Sequence, residues 1–370
     1  ALIALQAGMN SWLGVLLKNT LLASYYFLGG QMTGCKPTFG QLSWGMAKSE
    51  NNQPIIGRDA EKQALQAGLD SNSSELIAVY GRRRVGKTFL IRQFLKKNTT
   101  FELTGLHNEP RNHQLENFTN ALQEFSNKSI AFHPTSWLEA FESLKDHVKA
   151  QAKRKRSKQV LFFDELPWLA TPRSGFLAAF EAFWNTFASR RNDVVLIVCG
   201  SAASWMIRKV IGSKGGLHNR TTGRIRLTPF TLHETKQYLQ HLKIGLDNFQ
   251  IAQLYMAVGG IPPYLGLAKR GRSTAQTIDR LCFQKEGLLT DEFQHLYAAL
   301  FDNHELHEAI VRALGTSGKS LTRNELLKRA SLTSGGSITR TLNELIQSGF
   351  VHESPPGDND IKQTVDRLAD

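Results

Sequence analysis

The chain has 370 residues, 41% of them hydrophobic, which suits two or three domains with packed cores. Its 45 Lys and Arg against 32 Asp and Glu leave a formal charge of +13, favouring anionic partners such as nucleotide, nucleic acid or anionic lipid heads. Cys35, Cys199 and Cys282 stand far apart with no C-x-x-C pair, which argues against a disulfide framework or a zinc site and fits a reducing, cytoplasmic setting.

Residues 1–45 differ in character from the rest. Two apolar runs, 12–17 and 21–28, are separated by Lys18-Asn19-Thr20. A spanning helix needs about 20 mostly apolar residues, so this is a poor span, and no basic stretch precedes it as in a secretory signal. The chain begins at Ala1, so the globular protein is expected to start near Met46, with residues 1–54 an apolar and linker segment outside the fold.

A helix is expected from about 59 to 69, with Asp59 or a neighbour as its cap. Residues 76–80 read as a buried strand. It is followed by Gly81-Arg82-Arg83-Arg84-Val85-Gly86-Lys87-Thr88, which fits G-x-x-x-x-G-K-[ST], and then by a helix with Phe89, Leu90, Phe94 and Leu95 at helical spacing. Strand, glycine loop and helix is the order a phosphate-binding loop requires. The glycines let main-chain N–H groups converge on phosphate oxygens, Lys87 adds positive charge at the β/γ-phosphates, and the Thr88 hydroxyl can complete the coordination of Mg²⁺.

A second strand is expected at 101–105 and helices at 111–126 and 135–152. The basic run 153–158 reads as a helix end and a solvated loop. Val160-Leu161-Phe162-Phe163-Asp164-Glu165 is then an apolar strand ending in two carboxylates. C-terminal ends of parallel strands face the ligand crevice, so Asp164 is placed to hold the metal and Glu165 to polarise an attacking water. The helix 175–189 carries Phe176, Phe180, Phe183, Trp184 and Phe187 as a stripe for core packing. Strands at 194–201 and 224–230 complete a parallel α/β core over residues 55–230.

Composition then turns helical. Helices at 231–241, 247–258, 264–269, 273–283 and 289–300, broken at Gly259-Gly260-Ile261-Pro262-Pro263, form a helical lid over 231–303. Residues 304–370 make a third unit, with helices at 304–314, 321–330 and 337–348. Val351-His352-Glu353 is expected to pair with Gln363-Thr364-Val365, which gives a winged helix-turn-helix.

The loop GRRRVGKT, the FFDE strand, the strand ending Gly200-Ser201 and Ile56-Gly57-Arg58-x-x-Glu61 together resemble the archaeal-type ATPases, P-loop proteins of the STAND group related to AAA+ initiator ATPases. The resemblance covers about 55–368. It implies that Ile56 and Gly57 border adenine, that Ser201 is a polar sensor of the γ-phosphate, and that Arg220, in Leu217-His218-Asn219-Arg220, reads that phosphate or braces the carboxylates. A loop arginine bound to a carbonyl is the alternative for Arg220. Pro262, in Gly260-Ile261-Pro262, would approach the base or simply break a helix. Asp366 stands where the family commonly has an aromatic residue, and family chains continue into a further domain, which implies a truncated or divergent chain.

The expected fold is thus a P-loop NTPase parallel sheet of AAA+/STAND type with a helical lid and a C-terminal winged helix. The expected function is an ATP-binding, Mg²⁺-dependent ATPase acting as a nucleotide-controlled switch, with ATP and Mg²⁺ as ligands. The alternative is a DNA-binding regulator that uses ATP as a structural ligand. In that case Thr339, Arg340 and Asn343 face the major groove, and Arg323 and Lys328 meet phosphates. A protein partner for the winged helix and self-association both stay open. No guanine-reading N-K-x-D element is evident, and adenine follows from the resemblance alone.

Overall fold

In a computed structural model the described residues are 53–126, 133–153, 157–212, 215–217, 219–289, 292–301, 304–318, 320–354 and 365–368. The apolar runs of 1–45, the Met46 start and most of the basic run 153–158 lie outside them.

Five parallel strands form the central sheet: β1 (Glu75–Tyr80), β2 (Thr99–Thr104), β3 (Gln159–Asp164), β4 (Val194–Gly200) and β5 (Gly223–Arg226), in the order β2-β3-β4-β1-β5. Every residue of β3 and of β4 is buried, as both-sided burial of a parallel sheet requires. Alternation along each strand feeds two cores. Leu76, Ala78, Phe101, Leu103, Leu161, Phe163, Leu196 and Val198 face one side. Ile77, Val79, Val160, Phe162, Val195, Ile197 and Cys199 face the other.

The first core is aromatic. Helices α3 (Arg111–Ser126), α4 (Trp137–Ala152) and α5 (Phe176–Thr186) pack over it, after α1 (Asp59–Asp70) and α2 (Lys87–Leu95) earlier in the chain. Phe141 lies at its centre, with ring centroids 5.1 Å from Phe183 and 5.9 Å from Phe163. The stripe expected to be core is therefore core. Phe176, Phe180 and Phe183 are fully buried.

The second core is shared between α2 and the helices after β5, namely α6 (Leu232–His241) and α7 (Asn248–Val258). Reciprocal capping boxes start both. In α6 Thr231 accepts from the Glu234 N–H and Glu234 reaches back, and Asp247 and Gln250 do the same in α7. Several boundaries differ from expectation. The strand expected at 101–105 is Thr99–Thr104, the helix expected at 175–189 ends at Thr186, and the one expected from 289 begins at Glu292. β5 ends at Arg226 rather than 230, and the short helix expected at 264–269 is Pro262–Leu265. Proline is pre-set for the first helical position, so the break and the helix start coincide. The turn is tight. Gly260 O accepts from the Phe230 N–H at 2.7 Å, and a Cβ on Gly260 would stand 2.0 Å from Phe230 O. Gly260→Ala is expected to cost about 2 kcal/mol, measured as a lower urea midpoint at unchanged m-value.

The C-terminal part holds α8 (Glu292–Leu300), α9 (His304–Ser317), β6 (Leu321–Thr322), α10 (Arg323–Arg329), α11 (Gly336–Gln347), β7 (Val351–Ser354) and β8 (Val365–Leu368) around a third core. The small sheet is antiparallel, in the order β6-β8-β7. Here the expectation is corrected twice. β7 pairs with 365–368, Val351 opposite Leu368 and Ser354 opposite Val365, rather than with 363–365. Residues 321–322, read as a helix start, form a strand on β8, and Thr322 then caps α10. Asp366 lies opposite Glu353 on one side and Leu321 on the other.

This part docks on the core. Arg208 meets Glu344 at 3.0 Å, and Glu344 also bonds His307 and Arg340. Arg226 donates to Gln347 O at 3.4 Å, and the Arg82 guanidinium lies 4.4 Å from the centre of the Phe350 ring.

Candidate nucleotide site

The loop between β1 and α2 turns tightly because its residues permit it. Gly81 has φ +148°, and a Cβ there would stand 2.1 Å from Leu227 O. Gly86 follows at φ +92°. Arg84, between them, also takes a left-handed φ of +68°. A left-handed residue in a run of ordinary ones turns successive N–H groups to one concave side, the geometry that binds anions. Holding a non-glycine residue there costs on the order of 1–3 kcal/mol, so its surroundings must fix it.

Lys87 opens α2 and is 6% exposed. Its Nζ donates to Gly81 O at 3.0 Å and to Arg82 O at 2.8 Å. The ammonium thus sits within the loop that precedes it, its charge screened by two carbonyls. Next to it, Thr88 Oγ1 donates to Asp164 Oδ2 at 2.8 Å. Asp164 Oδ1 accepts from the Glu165 N–H at 3.0 Å. Loop and acid pair, separate motifs in the sequence, therefore meet directly. A hydroxyl and a carboxylate side by side are hard oxygen donors, a set that fits Mg²⁺ completed by phosphate oxygens and water.

The sheet order explains the third partner. β4 lies between β1 and β3, so its end falls between the loop and the acids. Glu165, left-handed at φ +45°, turns its carboxylate to Ser201. Glu165 Oε2 accepts from Ser201 N at 3.1 Å and from Ser201 Oγ at 2.9 Å. Cys199 lies beneath, its thiol pKa raised well above the usual value by burial and by the Asp164 charge. It is an inert core thiol.

Ile56 and Gly57 are half-buried at the entry to α1. The helix is not capped by Asp59. Arg58 takes the cap position in a left-handed conformation, with no side-chain cap bond. Its side chain turns inward instead. It is 5% exposed, donates to Val85 O at 3.2 Å and covers the Phe230 ring at 4.7 Å. Its N–H meets Glu234 Oε1 at 3.1 Å. Burial lowers the Arg58 pKa, against the opposing charges of Glu234 and Glu61. Arg58, which in the sequence is only one position of the Ile56-Gly57-Arg58-x-x-Glu61 motif, ties the entry segment, the loop and α6 together.

Arg220 is exposed, and its side chain makes no hydrogen bond or ion pair among the described residues. Its N–H closes a turn on Leu217 O at 3.0 Å. The structure does not bring it to the carboxylates, and His218 lies outside the described residues. Pro262 is half-buried at the start of its short helix. Arg83, half-buried, likewise makes no side-chain bond among the described residues.

Residues 56–268 match the family described as an ATPase domain predominantly from Archaea. The chain belongs to this family. The archaeal-type ATPase domain so defined contains the loop, the acid pair, Ser201 and the Gly260 turn. An uncharacterized protein of Methanocaldococcus jannaschii is 23% identical over 313 residues, 85% of this chain and 65% of that protein. The chain thus spans less than two thirds of that relative's length. An uncharacterized ATP-binding protein of the same organism is 46% identical over 42 residues, 11% of this chain and 71% of its own. Among solved structures, a Walker-type ATPase of Pyrococcus abyssi superposes with a TM-score of 0.62 at 18% identity, covering 85% of this chain and 94% of that one. The ORC2 protein of Aeropyrum pernix, in ADPNP–ADP complexes, gives 0.56 at 16% identity, covering 87% and 92%. The fold is thus that of P-loop ATPases. Among the described residues no helix is long and apolar enough to cross a membrane.

Proposed function

We propose that this chain binds ATP with Mg²⁺ and hydrolyses it slowly, as a nucleotide-controlled switch. One observation carries the reading: Thr88 Oγ1 and Asp164 Oδ2 lie 2.8 Å apart, which joins the phosphate loop to the acid pair at the place a metal would be held. On binding, Lys87 exchanges its two carbonyl partners for β/γ-phosphate oxygens, and the loop amides cradle the rest. Thr88 and Asp164 hold the metal, which when bound screens the phosphate charge and polarises the scissile bond. Glu165 leaves Ser201, accepts a hydrogen bond from the attacking water and aligns it. Ser201, so freed, offers its hydroxyl to the γ-phosphate. Arg220 reaches the same phosphate only if its loop moves. Ile56, Gly57 and Pro262 border the base, and Gly81 to Val85 supply the cradle.

Three segments serve this reading: the core 55–230, the lid 231–303, and the unit 304–370 with the element order of a winged helix. Phosphate release from ATP by the purified chain, with and without Mg²⁺, tests it. Turnover that requires Mg²⁺ is expected. No release, together with no heat on titrating ATP and Mg²⁺ to about millimolar concentration, overturns it.

A second reading has its own observation. Thr339, Arg340 and Asn343 form an exposed stripe on α11, whose opposite face is buried. With the net charge of +13, this supports a regulator that contacts duplex DNA and uses ATP as a structural ligand. Binding of duplex DNA that weakens steeply with salt, with negligible turnover, would favour it. Salt-insensitive turnover with no DNA binding would point to a protein partner. A cytoplasmic location and self-association belong to the proposal as well.

A further inference from the structure

Arg84 is the non-glycine residue of the phosphate loop in a left-handed conformation, and its side chain leaves the loop altogether. Its Nη1 lies 2.8 Å from Glu292 Oε1 and 3.5 Å from the Tyr264 hydroxyl. Tyr264 in turn donates to Glu292 Oε1 at 2.8 Å, and the guanidinium stands 5.6 Å from the centre of its ring. Glu292 is 7% exposed, so its carboxylate is shielded from solvent, whereas the Arg84 side chain is 24% exposed. Glu292 opens α8 and lies beyond residues 56–268, the span of the ATPase family match.

We propose that Glu292 is a positioning residue for the nucleotide site. It acts through Arg84 and holds the loop in its anion-binding shape from outside the ATPase domain. Three links carry this. The concave amide array needs the left-handed residue at position 84. A long side chain disfavours that conformation, and glycine does not. The side chain is gripped at its far end by a buried carboxylate and a phenol, which fixes the backbone that carries it. Arg82, at the other end of the loop, rests on Phe350, so the loop is braced twice by the C-terminal part. Linkage then works in both directions. Docking of α8 strengthens nucleotide binding, and bound nucleotide strengthens the docking of α8 by the same factor. The inference rests on the proposed nucleotide site and names how that site is regulated: whatever pulls α8 away weakens its grip on phosphate.

The test is a set of variants with two readouts. By calorimetry, Glu292→Ala is expected to bind ADP about tenfold more weakly than the parent, whereas Glu292→Gln, which still accepts from Arg84 and Tyr264, stays within about threefold. In an Arg84→Gly background, Glu292→Ala should have no further effect, because glycine holds the left-handed turn unaided. An equal loss in both backgrounds, or no loss in either, overturns the proposal. The double variant leaves no unpaired buried charge. If Glu292→Ala alone does not fold, the double variant and Tyr264→Phe, expected to weaken binding about threefold, carry the comparison. Unchanged binding in Tyr264→Phe and no restoration in the double variant would then count against the brace. The second readout is hydrogen exchange of loop amides 82–86 without nucleotide, expected to rise about tenfold in Glu292→Ala or, failing that, in Tyr264→Phe by less. Unchanged exchange overturns the brace whatever the binding data. Faster exchange in a protein whose parent binds no nucleotide overturns the proposed function and leaves the brace standing.

Discussion

Lys87→Ala is expected to bind ATP about a thousandfold more weakly, a loss of about 4 kcal/mol, and to lose turnover with it. The size follows from what the ammonium gives up and gains. In the structure it makes two hydrogen bonds to carbonyls, those of Gly81 and Arg82. In the proposed complex it would make them to charged phosphate oxygens instead. Both sets of bonds are charge-assisted through the ammonium, so the gain on exchange is the attraction between opposite charges, about 4 kcal/mol for a pair about 4 Å apart in a partly screened site. That attraction by itself reaches the expected figure. The fold should survive, because the space left by the side chain has polar walls, the carbonyls of Gly81 and Arg82, which a water in its place can satisfy. Calorimetric titration with ATP and Mg²⁺, alongside an unchanged circular dichroism spectrum, checks both halves. Binding within tenfold of the parent would show that the loop amides grip phosphate without the lysine, and the proposed mechanism would fail at its first step.

How much of this was legible in the chain depends on the range of the interactions. The strand–loop–helix unit was readable because its residues are contiguous: an apolar run, two glycines and a lysine–threonine pair encode the local geometry by themselves. The carboxylate-ended strand was readable for the same reason. The bond between Thr88 and Asp164 follows from those two motifs once parallel strands are assumed. The strand order does not follow from them, because β3 and β4 are both short, wholly buried runs and nothing local says that β4 enters between β1 and β3. That insertion is what brings Ser201 to Glu165. Arg58 escaped because a charged residue beside a helix start reads as solvated, and only the distant Val85 carbonyl and Phe230 ring make its burial tolerable. Glu292 escaped for a stronger reason. An acid at a helix start is an ordinary feature of surface helices, and its partner Arg84 looked like one of three interchangeable loop arginines. The structure separates the three. Arg82 lies on Phe350, Arg84 pairs with Glu292, and Arg83 bonds to neither element. Helices α6 and α7 were nearly correct in extent because their caps and apolar spacing are local. The ribbon register was wrong because pairing across an intervening segment has no local signal.

Glu165→Gln is expected to bind ATP as the parent does and to lose about a thousandfold in turnover, about 4 kcal/mol in the barrier. The geometry gives the reason for both parts. Glu165 touches neither Lys87 nor the loop amides, and Ser201, the one group assigned to phosphate that it meets, keeps its acceptor in the amide variant. The Glu165 backbone N–H supports Asp164, and the amide variant leaves that bond intact. Binding should therefore be unaffected. Its carboxylate lies beside the loop–acid junction at the end of β4, and both of its bonds to Ser201 are to one oxygen, Oε2. In the proposed mechanism the other oxygen accepts from the attacking water. Glutamine keeps an acceptor for Ser201 and changes little in shape, but it carries no charge to polarise that water and no base to receive its proton. Ser201→Ala should act differently. It removes one of the two bonds that hold Glu165, the backbone N–H at position 201 keeping the other, and it takes away the hydroxyl proposed to meet the γ-phosphate, so a loss of about tenfold is expected, carried partly by weaker ATP binding. Single-turnover phosphate release, with ATP affinity measured separately, distinguishes the two variants. If Glu165→Gln turns over at the parental rate, the water is activated elsewhere, and the left-handed turn at Glu165 serves only to support Asp164.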